Sequence, residues 1–254
     1  MSIEFFILII VLAFILEFLD ASVGMGYGNL TPLLILLGMD PIDSVLAVLF
    51  SSVILSTLTG ILHHIFKNVD FGIKKKSIKV SFVLIGFGVV GILIGVLTAV
   101  RIPEIILKSY IGLLVLIIGF IVIFRKKKKY KFSWLKLIGL GSLASFNQGM
   151  SGGGYGPVLA GGQIVAGVES KKAVAITGLT EGIISIVGVI AYLSINQSFE
   201  FVNWHLIIAI LSGGIVSTPI AVYAVKKMDS SKLKVAIGIF SIVLGLLTLI
   251  KIFI

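Results

Sequence analysis

SFNQGMSGGGYGPVLAGG, residues 145–162, decides how this chain folds. It lies within a very apolar sequence, yet seven of its last fourteen residues are glycine and it opens with Ser145, Asn147 and Gln148. A lipid-facing helix cannot hold that composition. Glycine at this density favours unwound backbone, and in hydrocarbon unwound backbone persists only where protein or a water-filled cavity supplies its hydrogen-bond partners. The stretch therefore reads as a buried, functional break in a membrane helix. Pro157, just past the glycines, is expected at the first position of a restarting helix, where its missing N–H costs nothing. The break would then end on a helix N-terminus with free N–H groups.

The surrounding chain has 254 residues, 58% of them hydrophobic and 13% charged, with a mean hydropathy of +1.19. These values belong to polytopic membrane proteins and exclude a soluble core. MSIEFFILIIVLAFILEFLD lacks a basic start and a small-residue cleavage site, so no cleavable leader is expected. The net charge of +10 comes mostly from lysines in short runs between apolar segments. That pattern suits cytoplasmic loops better than a nucleic-acid surface. Cysteine is absent, which rules out disulfides and cysteine-ligated metals. No cofactor is expected, and no metal-ligand spacing such as HExxH occurs.

Apolar segments run over residues 3–19, 43–66, 79–100 and 105–124, with a short piece at 30–39. After the basic linker RKKKKYK (125–131) come 134–148, 157–168, 171–194, 205–225 and 233–254. Both halves share one plan: 1–124 and 133–254, joined by a cytoplasmic linker over 125–132. At a shift of 128, Gly24, Gly26, Tyr27 and Gly28 fall on Gly152, Gly154, Tyr155 and Gly156, and Gly60 falls on Gly188. At a shift of 126, Gly112 and Gly119 fall on Gly238 and Gly245. An internal duplication follows, and paired interruptions at matching positions of two halves point to a transporter binding site.

Charge bears on how the halves are oriented. If each half crosses four times, the halves are parallel and the 21 Lys and Arg split 13 inside to 8 outside. If each break is instead the tip of a re-entrant hairpin followed by three transmembrane helices, the second half is inverted and the same residues split 18 to 3. The fold class expected is thus an all-α polytopic membrane protein built as an inverted repeat, with a plain eight-helix parallel duplication as the alternative. Length agrees in the second half, where 134–148 and 157–168 span about 22 and 18 Å against a core of ~30 Å. The first half is ambiguous, since residues 2–20 can span about 28 Å.

The motifs GMGYGNLTPLL (24–34) and GGGYGPVL (152–159), set near the start of each half of a small all-helical membrane protein, resemble the sulfite exporter TauE/SafE family of the toluene-sulfonate uptake permease group. The resemblance implies a permease in the cell membrane for sulfite, sulfonates or related sulfur-containing organic anions. The first motif departs from the second, with Met25 and Asn29 where the other has Gly153 and Pro157.

Two hairpins entering from opposite faces would bring both breaks and both returning helix N-termini together near the midplane. Such N-termini attract anions through unpaired N–H donors and about half a positive charge. The candidate substrate-binding residues are Gly24, Gly26, Tyr27, Gly28 and Asn29 with Asn147, Gln148, Ser151, Gly152, Gly153, Gly154, Tyr155 and Gly156. The competing reading, glycines for tight helix packing, is assigned to Gly91 and Gly95. Glu181 lies mid-segment beside Thr177 and Thr180, where an ionisable group is costly and functional by default. It is the proton-coupling candidate, with Glu17 next. On a spanning first helix Glu17 and Asp20 would face water at the outer surface, the favoured reading, whereas a re-entrant one would take them toward the midplane. His63, His64 and His205 are expected at interfaces.

Rival functions come from other classes. Gly149-Met150-Ser151-Gly152 resembles the serine motif of rhomboid-type intramembrane proteases, but such chemistry needs a base beside the serine, and His205 is the only histidine after it. A passive anion channel could use the same breaks.

Overall fold

The structure is a computed structural model that describes residues 2–124, 131–196, 202–225 and 230–253. Among them there is no strand. In chain order the helices are α1 (Ile3–Val23), a single 3-10 turn (Tyr27–Asn29), α2 (Leu30–Leu36), α3 (Pro41–Ile65), α4 (Lys76–Ala99), α5 (Glu104–Phe124), α6 (Trp134–Ser151), α7 (Tyr155–Val165), α8 (Ser170–Asn196), α9 (Trp204–Ala224) and α10 (Ser230–Phe253). Most of the linker, Lys226, Lys227 and Glu200 lie outside the described residues.

Among the described residues six helices, α1, α3, α4, α5, α8 and α9, are long and apolar enough to cross a membrane. Their outward residues are large and apolar: Phe82 is 68% exposed, Ile121 61% and Ile190 58%. In water such a surface would aggregate; in a bilayer it is the lipid-facing coat. The polar residues sit inside, with Ser51, Gln148, Thr177, Thr180 and Ser185 fully buried.

The interrupted arms differ between halves. Helices α6 and α7 form a hairpin whose two ends return to one side, closed at its base where the Ser133 N–H donates to Ala166 O at 3.0 Å. In the first half α1 has 21 residues, about 31 Å, so it is long enough to span alone. Helix α7 begins at Tyr155, which places Pro157 at its third position rather than its first. Pro32 is likewise third in α2. Both still fall in the first turn, where an N–H has no partner within the helix.

Packing follows the duplication. Helix α1 packs on α9 as α6 packs on α4, and α3 packs on α9 as α8 packs on α4. Two pairs join a helix to its own counterpart, and both run antiparallel. In one, Gly112 of α5 lies against Leu249 of α10 and Gly119 against Ile242. In the other, Gly60 of α3 lies against Leu179 of α8 and Gly182 of α8 against Thr57 of α3.

Gly91 and Gly95 do serve packing. A Cβ on Gly95 would come within 3.0 Å of the Gly149 Cα, and one on Gly149 within 2.5 Å of Ile92 O. Helices α4 and α6 therefore touch backbone to backbone. Gly149→Val should lower stability by about 2–3 kcal/mol, the cost of overpacking a close contact, read as a lower unfolding midpoint of the purified protein in detergent.

Candidate functional site

The two breaks are built alike. Helix α1 ends on Gly24 (φ +71°) and α6 on Gly152 (φ +67°), each in the left-handed region that a residue with a Cβ rarely adopts. The Gly24 N–H donates to Asp20 O at 2.7 Å and the Gly152 N–H to Gln148 O at 2.8 Å. In the first half the chain then doubles back, so that Gly26 lies against Leu16, Leu19 and Asp20 of the helix it has just left.

The doubled-back segments meet. A Cβ on Gly28 would fall 2.6 Å from the Gly154 nitrogen, and one on Gly153 would fall 2.5 Å from the Gly28 Cα. Around this meeting point Gly24 packs on Val174 of α8 and Gly152 on Val45 of α3, both near the start of those helices. The arms α1 and α6 thus overshoot the point where the breaks touch. Helix α7 has Gly154 as its N-cap and no side chain capping it. Its first turn packs on Gly24 and Asp20 of the other half, since a Cβ on Gly156 would be 2.9 Å from Gly24 O and 3.1 Å from Asp20 Oδ1.

Each break is tied down by a duplicated tyrosine. The Tyr27 hydroxyl hydrogen-bonds Ser51 Oγ, and the Tyr155 hydroxyl donates to Thr180 Oγ1 at 2.9 Å. Ser51 and Thr180 donate in turn to carbonyls one turn back on their own helices, Ala47 O and Ile176 O, both at 2.8 Å. Both tyrosines are buried, so they anchor the breaks instead of lining an open surface. Ser151 holds its own break, its hydroxyl within 2.8 Å of Asn147 O and 2.6 Å of Gly153 O. The Asn147 side chain accepts from the Tyr110 hydroxyl of α5. Asn29 is buried at the start of α2 without a side-chain capping bond.

Three carboxyl groups converge on this region, and each is almost wholly buried. Glu17 is 1% exposed, Glu181 2% and Asp20 6%, which overturns the water-facing reading of Glu17 and Asp20. The reason is packing: α9 lies along α1 and, with Thr59 of α3, covers Glu17, while the doubled-back segment at Gly26 and Tyr27 and the start of α7 cover Asp20. Glu17 Oε1 accepts from Thr59 Oγ1 at 3.2 Å and Thr218 Oγ1 at 3.0 Å, while Oε2 has no partner. Asp20 Oδ1 accepts from the Tyr27 N–H at 3.2 Å. The Glu181 carboxyl interacts with the Gln148 and Ser56 side chains, and its Oε2 is unpaired. The three lie within electrostatic reach of one another. Gln148, aligned with Asp20 at the shift of 128, donates to Ser185 Oγ at 3.2 Å and leaves its own Oε1 unpaired. Among the described residues no group of three or more such side chains is arranged to hold a metal ion.

His63, in the last turn of α3, is buried against its neighbours. Its Nδ1 accepts from Asn68 Nδ2 at 3.1 Å, so Nε2 carries the hydrogen and donates to Ala21 O at 2.9 Å. Asn68 also donates to Val222 O at 3.3 Å, joining the ends of α1, α3 and α9. His64 and His205 are exposed.

The sulfite exporter TauE/SafE family model matches residues 9–248, nearly the whole chain and both breaks. The chain belongs to the sulfite exporter TauE/SafE family. It is 30% identical over 257 residues to the "Probable membrane transporter protein YtnM" of Bacillus subtilis (strain 168), across 96% of this chain and 83% of that protein. No solved structure matches it. With six helices long and apolar enough to span among its described residues, this TauE/SafE member is a multi-pass cell-membrane protein of a transporter family. The hydrolase reading fares poorly, because Ser151 bonds backbone carbonyls while His205 is exposed in the first turn of another helix. Beside the TauE/SafE breaks a cavity of about 840 Å³ lies between α5, α6 and α7, reaching Met25, Asn147 and Pro157.

Proposed function

We propose that this TauE/SafE member is a secondary carrier that moves sulfite, a sulfonate or a related small sulfur-containing anion across the cell membrane together with protons. The observation that carries the reading is the contact of Gly28 with Gly153 and Gly154. It puts the uncapped start of α7 next to the break of the other half, where N–H groups can hold an anion without a lysine or arginine. Proton coupling belongs to Glu181, with Glu17 behind it, because each keeps one buried carboxyl oxygen without a partner. An anion at the breaks favours neutral Glu181, since a second negative charge nearby repels it. Anion and proton then travel together.

The halves, 1–124 and 133–254, form an inverted repeat in this account. Antiparallel packing of α5 on α10 and α3 on α8 supports it, because a two-fold axis that pairs antiparallel helices lies across them, in the plane of the membrane. The 18-to-3 charge split supports it as well. Single cysteines in this cysteine-free chain test the orientation. A cysteine replacing Lys74, Lys171 or Lys232 should escape an impermeant reagent added to intact cells, and one replacing Glu104 should react. Labelling at 232 from outside would restore the parallel arrangement.

Substrate class is tested by an uptake panel in proteoliposomes that compares sulfite, sulfate, thiosulfate, taurine, sulfoacetate and a carboxylate. Preference for sulfite or a sulfonate is expected. Equal uptake of the carboxylate would remove the sulfur anion from the account.

A further inference from the structure

Positive charge is scarce on one face of this protein. Of the 21 lysines and arginines, the inverted arrangement leaves three on the outer side: Arg101, Lys108 and Lys251. Helix α4 sets the distance between faces, with Lys76 at its start and Arg101 just beyond its end, 24 helical residues later. Cations on that side run against the bias that orients membrane proteins.

Two of the three share one cavity. Lys108 and Lys251 line the same cavity of about 640 Å³, and so does Pro103, two residues past Arg101. The cavity lies between the start of α5, the end of α10 and the end of α2, where Ile35, Gly38 and Met39 face it. Lys251 Nζ donates to Leu36 O at 2.9 Å and to Ile35 O at 3.2 Å, holding the last carbonyls of α2. Lys108 pairs with Glu104 at 2.5 Å. Helix α2 has seven residues, about 10 Å. It starts at the first break, immediately after Gly28 and Asn29, and ends under Lys251.

We propose that this cavity is the outer vestibule of the transport path, where Lys251 and Lys108 capture the anion before it reaches the breaks. The proposal rests on the anion-carrier reading above. A small oxyanion entering the cavity competes with the Ile35 and Leu36 carbonyls for the Lys251 ammonium, because a full negative charge is the stronger partner. Its arrival frees the far end of the one short helix that connects the cavity to the break. Lys108, already paired with Glu104, contributes mainly through its field, as lysines lining a cleft raise the local anion concentration.

The test measures sulfite or sulfonate uptake in right-side-out and inside-out membrane vesicles carrying wild type, Lys251→Gln, Lys108→Gln, the double variant or Lys251→Arg. Half-saturation at the outer face should rise about three- to tenfold in Lys251→Gln and further in the double variant, the size expected for lost electrostatic capture. The rise should be confined to the outer face, and Lys251→Arg should recover most of it. Raising ionic strength from about 0.05 to about 0.5 M should weaken outer capture in wild type more than in the double variant. Unchanged outer half-saturation in the double variant, or an equal rise at both faces, overturns the vestibule. Where Lys251→Gln does not accumulate in the membrane, Lys108→Gln and the wild-type salt dependence decide. Absence of anion uptake by wild type overturns the carrier reading itself, a result distinct from any difference among variants.

Discussion

Replacing Gly153 with leucine should abolish transport. The Cβ of any other residue at 153 would stand 2.5 Å from the Gly28 Cα, a distance that only movement of one break away from the other can relieve. Leucine adds three more carbons to that clash. Overpacking of this kind costs about 3 kcal/mol or more, which is on the order of a hundredfold in rate if the contact must form for transport. Gly153→Ala should give an intermediate loss, and Gly28→Ala should resemble it because the contact is reciprocal. Gly154→Leu adds a conformational cost, since Gly154 sits at φ +82°. Membrane abundance and a monodisperse elution profile separate lost transport from lost folding. Full transport by well-folded Gly153→Leu would detach the meeting of the breaks from function.

Glu181→Gln should lose the response to a pH gradient while keeping substrate exchange. Glutamine retains the shape of the protonated acid and most of its hydrogen bonding to Gln148 and Ser56, but it cannot release a proton. Loaded vesicles of this variant should still trade internal for external substrate at equal pH. They should fail to accumulate it when the outside is acidified. If accumulation persists, coupling belongs to Glu17 or Asp20, which share the same buried region. If exchange disappears as well, Glu181 is holding the helices together and its carboxylate is an acceptor that an amide cannot replace.

Much of this architecture was legible because glycine and charge are both constrained in a membrane. The repeated GxGYG survived as two matching pairs of features, Gly24 with Gly152 as left-handed caps and Tyr27 with Tyr155 as anchors. Hydropathy located the helices to within a few residues. What it missed depends on which face of a helix is covered. Glu17 and Asp20 look terminal from segment order, and only the packing of α9 on α1 and the folding back of the first break reveal them as interior. Their spacing of three, in register with Ala13, Leu16 and Ala21, was the available signal of a buried stripe. His63 sits near a helix end, as its place in the segment implies, but its sealing by Asn68 and Ala21 was not readable from the sequence. The position of the breaks along neighbouring helices was not readable either. Segment length says that an arm is short, whereas the contacts of Gly24 with Val174 and of Gly152 with Val45 show the arms passing their meeting point.

In the proposed cycle a small sulfur-containing anion and a proton move together through the paired breaks. Its most direct test is uptake of labelled sulfite or sulfonate by purified protein in sealed proteoliposomes, with the outside made more acidic than the inside. The account predicts accumulation above the external concentration, followed by efflux to equilibrium when a protonophore is added. Uptake that never exceeds equilibrium and is indifferent to the protonophore would contradict it and leave a passive anion pathway.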